Sequence, residues 1–573
     1  MISRTQPGRR ARIRAALVAL SSLAALISGS QQALAADPVP IKDEGKLFTQ
    51  QSTTPFELHP REMPGVDDRE TARSVIEGLE AKGVVEPVTP ASVALEGLES
   101  GRPLCHSTGL NETFKYNGFC WSGADDATSA FSPGGGWHPQ GFTASHDGET
   151  SGTVDGHHLY MASWYAGNQA EGQNKRARIS ILKSTGTEWK YGHVLLVRPT
   201  GSRANPGYTA VTDVHADAMV WYGDRLFVAN GGELQIYDLD HLWLTIHDGF
   251  KYVLPMVARY ANRDKITQDT APVGSRSNMN CDVRTCLNAL SLDRSVSPPQ
   301  LVSGRYGKSD NPAPRDILRW SPASFVESGT SIVKPTAAFA APVHQLQGVA
   351  TDGKYYYMSA QCDTGYMGDS NTQDELSYSC IWQAPAGGGE VSILTRAPAL
   401  TQNLSYSTQS GRLWGMNEQT NHRVVFSLLP READDYRYIY NDYSLLCAGA
   451  ASKIDNSTPV IQWGCNNAKD ERWKLEDTGD GNGTVFLRNL YSGKCMGSAS
   501  STSNGAGMIQ YTCNGAADEK WTYSEITREL RNVHSQKCLG LGAGATKGSQ
   551  LIQWTCNGAQ DERWTISTTA PSV

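Results

Sequence analysis

Residues 105–430 repeat one pattern of polar turns and alternating apolar positions. Each copy begins with a glycine turn, and then every second residue is apolar, as in a β-strand with one buried face. The clearest copies are GHHLYMAS (156–163), GDRLFVAN (223–230), GKYYYMSA (353–360) and GRLWGMN (411–417), with a weaker copy at 298–306. The pattern predicts an all-β fold built from similar units.

Two further segments accompany most copies. Roughly nine residues upstream lies HADAMVWY at His215, HQLQGVAT at His344 or QNLSYSTQ at Gln402, and HPQGFTAS at His138 is similar. Downstream comes a third apolar run, such as ELQIYDL, SCIWQAP or HRVVFSL. Three strands joined by turns, repeated every 60 to 80 residues or so, are typical of β-propeller blades. We predict a propeller of about five blades at 105–430, and the alternative is a β-sandwich with long loops.

The beginning of the chain differs from this pattern. Residues 1–35 contain five arginines, then an apolar run and the small-x-small sequence Ala33-Leu34-Ala35. This order predicts a signal peptide, by the general or the twin-arginine route, and therefore a secreted, extracellular protein. Residues 36–104 are rich in proline and acids and indicate a lead-in segment, with one helix near 67–83.

One phrase of thirteen residues occurs three times near the end of the chain: IQWGCNNAKDERW (461–473), IQYTCNGAADEKW (509–521) and IQWTCNGAQDERW (552–564). In each copy the cysteine follows an earlier cysteine by eighteen positions, and the last residue is tryptophan. The short apolar runs between Gly, Asn and Ser clusters predict strands and turns. So small a unit cannot bury its own apolar face. We therefore expect three units to close around a threefold axis, with the final tryptophans in a shared core.

These residues resemble a ricin-B-type β-trefoil, also called a family 13 carbohydrate-binding module. The resemblance covers about 437–566, roughly a quarter of the chain. The family's Q-x-W signature appears as Glu471-Arg472-Trp473, Glu519-Lys520-Trp521 and Glu562-Arg563-Trp564, with glutamate in place of glutamine each time. The resemblance implies a β-trefoil at 437–573 with up to three shallow sugar pockets.

Each implied pocket needs an aromatic face for the sugar ring and fixed polar groups for its hydroxyls. The family's pocket aspartate is replaced by Gly449, Gly497 and Gly540, and its pocket asparagine by an aspartate, so the preferred sugar stays open. Alternatively, the aromatics only pack and the acids face solvent. The resemblance implies sugar contacts from Trp463, Asp470, Tyr511, Asp518, Trp554 and Asp561.

In a propeller, the first strand of each blade lines the central channel, and side chains at its start point into the mouth. The predicted blade starts supply His138, Gln140, Asp213, His215, Asp217, His344, Gln347, Gln402 and Asn403. These polar groups either bind a ligand or bond to the backbone of neighbouring blades and stiffen the axis. No motif singles out a catalytic residue. The catalytic candidates are Asp213, Asp217, His138, His215 and His344, and further acids that could take part are Glu233, Asp363 and Glu418.

All twelve cysteines follow residue 35, and an even number in an exported chain implies disulfides. No Cys/His cluster has zinc-site spacing, and we expect no metal and no cofactor. The order of the cysteines predicts the local pairs Cys105–Cys120, Cys281–Cys286, Cys362–Cys380, Cys447–Cys465, Cys495–Cys513 and Cys538–Cys556.

The charge of the chain narrows its partners. Removal of 1–35 takes away five arginines and no acids, which lowers the formal charge from −7 to −12. An acidic chain without a basic block is a poor ligand for nucleic acid or an anionic membrane, so we expect neither. We expect a monomer that binds a polysaccharide or other glycan. The leading hypothesis is a glycoside hydrolase, and the alternatives are a non-catalytic lectin and a metal-dependent hydrolase or lyase centred on the histidines.

Overall fold

The computed structural model describes residues 47–571, apart from 64, 67, 111–113, 131–134, 168–175, 185–187, 263–284, 308–314, 328–330, 363–371, 374–375, 467 and 481. The predicted signal peptide lies outside the described residues. The described part belongs to one unit, Ala35–Val573. Within it, no helix has the length and apolar character needed to cross a membrane.

The N-terminal segment is richer in structure than the single helix that the sequence indicated. The predicted helix is α1, which Asp68 caps by accepting a hydrogen bond from the Thr71 N–H at 2.7 Å, and which buries Val75, Ile76 and Leu79. The elements in chain order are β1 (Leu47–Gln51), β2 (His59–Arg61), α1 (Arg69–Ala81), β3 (Glu86–Pro87), α2 (Pro90–Glu96), β4 (Glu99–Ser100), β5 (Arg102–Pro103), β6 (Asn117–Cys120) and α3 (Gly123–Ala127).

The strands from β7 to β30 form mainly antiparallel groups that we number sheets one to five, and the parallel pairing of β10 with β16 joins sheets one and two into a single thirteen-stranded sheet. Sheet one contains β7 (Trp137–Ala144), β8 (Leu159–Ala166), β9 (Ala177–Ser184), β10 (Trp189–Gly201) and β11 (Pro206–Ala210), with α4 (Ser145–Gly148) after β7. Sheet two contains β12 (Ala218–Tyr222), β13 (Arg225–Asn230), β14 (Glu233–Asp238), β15 (Trp243–His247) and β16 (Phe250–Ala261).

Sheets three to five continue the same up-and-down order. Sheet three contains β17 (Ala289–Asp293), β18 (Gln300–Gly304), β19 (Arg315–Trp320) and β20 (Ala337–Ala341), with α5 (Pro322–Glu327). Sheet four contains β21 (Gly348–Thr351), β22 (Tyr355–Gln361), β25 (Ser379–Pro385) and β27 (Ser392–Ala397), with the short strands β23 (Thr372–Gln373), β24 (Leu376–Ser377) and β26 (Gly389–Glu390) between them. Sheet five contains β28 (Thr401–Ser407), β29 (Arg412–Asn417) and β30 (Val424–Leu428), and β6 pairs with β30.

The repeated sequence pattern coincides with these strands. The glycine-led copies became β8, β13, β22 and β29, the second strand of their sheets, and the weaker copy became β18. The segments upstream became the first strands β7, β12, β21 and β28. The first strands pack side by side in the order β7, β12, β17, β21 and β28, and β28 packs against β7.

The segment from β1 to β6 runs along the edges of these sheets. β1 pairs with β20 and β26, β2 with β16, β3 with β15, β4 with β10, and β5 with β6 beside β30. A free strand edge presents unpaired N–H and C=O groups. The segment therefore satisfies backbone groups that these edge strands would otherwise leave open.

The C-terminal strands form one thirteen-stranded sheet with threefold repetition. The final tryptophans of the three phrases, Trp473, Trp521 and Trp564, are fully buried in one core, as the sequence predicted. Each indole N–H donates to a carbonyl 25 residues earlier: those of Ala448, Met496 and Leu539, at 2.8 to 2.9 Å. The strands are β31 (Arg437–Asn441), β32 (Cys447–Gly449), β33 (Thr458–Pro459), β34 (Ile461–Trp463), β35 (Arg472–Asp477), β36 (Val485–Asn489), β37 (Cys495–Gly497), β38 (Ile509–Tyr511), β39 (Lys520–Tyr523), β40 (Leu530–Asn532), β41 (Cys538–Leu541), β42 (Leu551–Trp554) and β43 (Trp564–Ser567).

The disulfides follow the predicted local pairing. Five of the predicted pairs are present: Cys105–Cys120, Cys362–Cys380, Cys447–Cys465, Cys495–Cys513 and Cys538–Cys556. Cys286 is also disulfide-bonded, and its predicted partner Cys281 lies outside the described residues.

Candidate functional site

A cluster of polar and ionisable side chains lies where sheets five, one and two meet, and we call it the mouth cluster: His138, Gln140, Tyr165, His215, Asp217, Glu418 and Arg423. Glu418 directly follows β29, and its Oε2 accepts a hydrogen bond from Gln140 Nε2 and lies 3.4 Å from His138 Nε2. Burial raises the pKa of Glu418 to about 7, although the nearby His215 and the bond from Gln140 act in the opposite direction. A carboxyl group with this pKa is present both as acid and as base near neutral pH.

Arg423 fixes the protonation of His138. A guanidinium can only donate, and Arg423 Nη2 lies 3.1 Å from His138 Nδ1, so Nδ1 accepts and Nε2 carries the hydrogen that faces Glu418. Burial and the charge of Arg423 lower the pKa of His138 to about 3, so this imidazole is neutral. Arg423 itself donates from its backbone N–H to Asp126 Oδ1 at 2.9 Å, from Nη1 to the Asp125 carbonyl at 2.6 Å and from Nε to the Glu418 carbonyl at 3.1 Å.

The two oxygens of the Glu418 carboxyl group differ in their hydrogen bonding. Oε2 accepts the hydrogen bond from Gln140 and lies 3.4 Å from His138 Nε2, whereas Oε1 has no donor among the described residues. The side chain keeps 16% of its surface exposed. When Glu418 is protonated, Oε1 is therefore the oxygen free to carry the proton and present it to a ligand.

His215 and Asp217 form a second pair. His215 Nδ1 lies 2.9 Å from Asp217 Oδ1, which also accepts from Asn288 Nδ2 at 3.3 Å, and Asp217 Oδ2 accepts from the Gly231 N–H at 2.8 Å. A carboxylate accepts, so Nδ1 donates, and Nε2 is the nitrogen that would carry the lone pair in a neutral ring. The ring of Tyr165 lies 4.2 Å from the His215 ring, between centroids, and limits its movement. His215 Nε2 has no hydrogen-bond partner among the described residues.

The predicted site residues divide between this cluster and other places. His138, His215 and Asp217 belong to the mouth cluster, together with Glu418. Asp213 lies in the loop before β12 with φ of 59°, and the carbonyl of His344, in the loop before β21, accepts from the Gln361 N–H at 2.9 Å. Neither residue is part of the cluster as defined. Glu233 lies 3.6 Å from Arg259 Nη1 in sheet two, and Asp363 lies outside the described residues.

Asn403 bonds to the backbone of neighbouring sheets, which was the alternative role for the polar residues at the predicted blade starts. Its side-chain amide donates to the carbonyls of Phe142 and Leu290, both at 2.8 Å, and of Met219 at 3.3 Å, and its Oδ1 accepts from the Leu290 N–H at 3.1 Å. One side chain of β28 therefore joins β7, β12 and β17.

Within the part of the chain that the structure describes, His138, His215 and His344 do not meet as a ligand set for a metal. Among the described residues, the groups with ligand atoms within 4.8 Å of one another are Cys105/His106/Cys120, Glu529/Cys538/Glu562 and Asp224/Asp238/Asp240. The cysteines of the first two groups are in disulfides, and Arg225 pairs with Asp224 and Asp238 in the third. None of these groups contains His138, His215 or His344.

Sequence reasoning missed a second buried cluster, beside α4. Ser405 Oγ donates to Asp147 Oδ2 and contacts His146 Nε2, both at 2.7 Å, and His146 Nδ1 lies 3.3 Å from His158 Nε2. Burial raises the pKa of Asp147 to about 6 and lowers that of His146 to about 3. His146 and Asp147 are inaccessible to a substrate, and no spacing motif in the sequence announces them.

The three aromatic rings that the resemblance implies for sugar stacking are accessible to solvent. Trp463, Tyr511 and Trp554 keep 45%, 41% and 44% of their surface exposed, at the ends of β34, β38 and β42. A ring that only packed would be buried like Trp473. The exposed faces have the character that stacking on a pyranose requires.

The glutamates of the altered signature have a structural position. Glu471, Glu519 and Glu562 are buried, and each Oε2 accepts from the backbone N–H of the asparagine five positions earlier, at 2.8 to 2.9 Å. They hold the loop after each second cysteine. The acids before them differ, since Asp470 and Asp518 are buried and Asp561 is half-buried.

Comparison with known proteins places the C-terminal part in a family. Residues 435–564 match the Ricin-type beta-trefoil lectin domain, which indicates carbohydrate binding, and the match does not extend into the N-terminal region. A search of curated proteins found no match.

The solved structures to which the chain is similar include proteins of three kinds. The designed threefold-symmetric protein ThreeFoil is 25% identical over 23% of this chain and 99% of its own, with a TM-score of 0.23. The Polyporus squamosus lectin bound to a human-type influenza-binding epitope is 22% identical over 23% and 48%, with a TM-score of 0.21. The exo-beta-1,3-galactanase 1,3Gal43A from Clostridium thermocellum is 13% identical over 75% and 96%, with a TM-score of 0.28.

Proposed function

Because residues 435–564 match a ricin-type lectin domain, we propose that the protein is a secreted polysaccharide hydrolase with two domains. The trefoil at 437–573 binds glycan through Trp463, Tyr511 and Trp554, and the domain at 105–430 hydrolyses it at the mouth cluster. Disulfides in both parts support an extracellular location.

The catalytic domain in this proposal is a five-bladed β-propeller. The order of contacts among the first strands supports it, since β28 returns to β7. The pairing of β6 with β30 supports it as well, because an N-terminal strand that completes the last sheet closes such a ring. In this arrangement the start of β7, the end of β29 and the loop before β12 lie at the same end of the propeller channel.

The single observation that carries the catalytic proposal is the pairing of an acid with a base in one cluster. Glu418 is the general acid: its Oε1–H gives a proton to the glycosidic oxygen as the bond from that oxygen to the anomeric carbon breaks. His215 is the general base: a water adds to the anomeric carbon and loses a proton to Nε2. Asp217 holds the His215 ring and stabilises the imidazolium that forms. Attack by water from the opposite face inverts the anomeric configuration.

The test is hydrolysis of a panel of plant, fungal and bacterial polysaccharides by the purified protein, with sizing of the products. Glu418→Gln keeps the shape of the side chain but cannot donate an acidic proton, and we expect a loss of rate of roughly 10²- to 10⁴-fold. His215→Ala should lose a similar amount. Glu233→Gln is the matched control, because Glu233 is a buried glutamate of sheet two outside the mouth cluster, and it should leave the rate within about threefold.

The outcomes separate the candidate functions. Full activity in Glu418→Gln would reject this acid, and retention on insoluble glycan without any products would support the non-catalytic lectin. A rate that disappears with a chelator and returns with a divalent cation would support the metal-dependent alternative. We expect the rate to be insensitive to the chelator.

A further inference from the structure

The three trefoil pockets share one hairpin geometry. In the first repeat, Cys447 pairs with Trp463 and Gly449 with Ile461, so the ring of Trp463 and the open side of Gly449 lie on one face of the hairpin. The second repeat pairs Cys495 with Tyr511 and Gly497 with Ile509, and the third pairs Cys538 with Trp554 and Gly540 with Ile552. Each glycine leaves space beside its ring.

A carboxylate lies next to this space in only two repeats. A Cβ built on Gly449 would lie 3.4 Å from Asp470 Oδ2, and a Cβ on Gly497 would lie 3.3 Å from Asp518 Oδ2. Around Gly540 the nearest atoms are Glu562 Cγ at 3.7 Å and the backbone oxygen of Asp561 at 3.9 Å. The carboxylates of the first two repeats therefore lie where a side chain at the glycine position would begin.

The same two carboxylates are anchored. Asp470 Oδ2 accepts from the Ser452 N–H at 3.0 Å, and Asp518 Oδ2 accepts from the Ser500 N–H at 2.9 Å. The Ser452 side chain also interacts with the Asp470 carboxylate, and Oδ1 of Asp518 accepts no hydrogen bond from a described residue. The carboxylate of Asp561 makes no hydrogen bond to a described residue.

The loop that supplies these N–H groups is strained in the same two repeats. Ala451 and Ser452 have φ of 54° and 49°, and Ala499 and Ser500 have φ of 50° and 57°. Two successive non-glycine residues with positive φ are costly, and such strain concentrates at ligand-binding sites. The equivalent residues of the third repeat, Gly542 and Ala543, are not among the residues with positive φ.

From these differences we infer that the trefoil has two working sugar pockets rather than three, at Trp463 with Asp470 and at Tyr511 with Asp518. In both, Oδ1 of the aspartate accepts from sugar hydroxyls while the apolar face of the sugar stacks on the ring. The ligand class is a neutral pyranose, because a carboxylate at this position repels a uronic acid. Trp554 offers a stacking face without a fixed acceptor. This inference rests on the proposed glycan binding and specifies its valency and charge preference.

The experiment uses full-length protein with two of the three rings changed to alanine, which leaves one pocket. The replaced rings are partly exposed, so the substitutions should preserve folding, which circular dichroism checks. Binding of galactose, lactose, xylobiose and galacturonate is measured by calorimetry. We expect the Trp463-only and Tyr511-only proteins to bind a neutral sugar of this panel within about threefold of each other. The Trp554-only protein should bind it at least tenfold more weakly, since a hydrogen bond to a charged acceptor contributes about that much.

Three substitutions test the acceptor directly, one of them as a control. Asp470→Asn in the Trp463-only protein should weaken binding about tenfold, whereas Asp561→Asn in the Trp554-only protein is the matched control and should change nothing. Gly540→Asp should strengthen binding by the Trp554-only protein about tenfold, because it supplies the missing carboxylate where the nearest atoms leave 3.7 Å.

The outcomes distinguish the two proposals. Equal affinities in the three single-pocket proteins, or tighter binding of galacturonate than of the neutral sugars, would overturn the inference and leave glycan binding intact. If neither the unmodified protein nor any variant binds a sugar of the panel or is retained on insoluble glycan, the proposed function itself fails.

Discussion

At the scale of single residues, the mouth cluster shows how burial and hydrogen bonds set the chemistry of one carboxyl group. Burial disfavours the charged form of Glu418, and its pKa rises to about 7 despite the donor from Gln140 and the nearby His215. Arg423 acts on Glu418 indirectly, because it selects the tautomer of His138 in which the Nε2 hydrogen faces Glu418. The group is therefore protonated below pH 7, where a general acid must hold its proton.

The first prediction concerns pH. If Glu418 is the general acid, kcat/KM should fall about tenfold per pH unit above roughly pH 7, because the protonated fraction declines there. Gln140→Ala removes a donor that stabilises the carboxylate, so the pKa should rise and the falling limb should move to higher pH. The pH–rate profile of both proteins on one soluble substrate measures this, and an unchanged limb in Gln140→Ala would contradict the assignment.

At the scale of secondary-structure elements, the first strands are held together by side chains as well as by packing. Asn403 of β28 bonds to backbone groups of β7, β12 and β17. Glycines permit the close approach of these strands: a Cβ on Gly141 would lie 2.8 Å from backbone atoms of Ala218 and Met219. Asn403 and these glycines therefore both contribute to one contact region, where the first strands meet.

The second prediction tests this contact between the first strands. Asn403→Ala leaves the Phe142 and Leu290 carbonyls and the Leu290 N–H without their partner, and should lower the free energy of unfolding by about 3 kcal/mol or more. Gln409→Ala in the turn after β28 is the control, because Gln409 is exposed, and should cost about 1 kcal/mol or less. Urea unfolding followed by tryptophan fluorescence measures both. A small loss for Asn403→Ala would show that packing alone holds the strands.

At the scale of the whole molecule, the ricin-type lectin domain contacts the N-terminal sheets. Lys469 Nζ, one residue before the pocket acid Asp470, donates to the Leu394 carbonyl of β27 in sheet four. A domain that stays on the polysaccharide raises the concentration of substrate near the mouth without new catalytic contacts.

The third prediction follows from this attachment. The triple variant Trp463→Ala, Tyr511→Ala, Trp554→Ala should hydrolyse soluble oligosaccharides at the unmodified rate but insoluble polysaccharide about tenfold more slowly. The comparison of the two substrates is its own control, because damage to the catalytic domain would slow both. Equal rates on insoluble substrate would show that the trefoil does not contribute by tethering.

The sequence by itself determined the local features of this protein. The thirteen-residue phrases predicted the buried positions of Trp473, Trp521 and Trp564, and the order of cysteines predicted five observed disulfides, because repeats and short loops are encoded by neighbouring residues. The alternating pattern likewise predicted the strands, since the pleat gives each strand a period of two.

Only the tertiary structure decided which distant residues meet. Glu418 follows His138 by 280 positions, and nothing in either segment indicates that their side chains lie 3.4 Å apart. From the sequence alone, Glu418 was no stronger a candidate than Glu233. The raised pKa of Glu418 comes from burial among side chains of three sheets, which the sequence does not show. It also treated Asp470, Asp518 and Asp561 as equivalent, although the backbone of the facing loop differs between repeats. Periodicity records which face of an element is buried, whereas a site depends on how several elements pack.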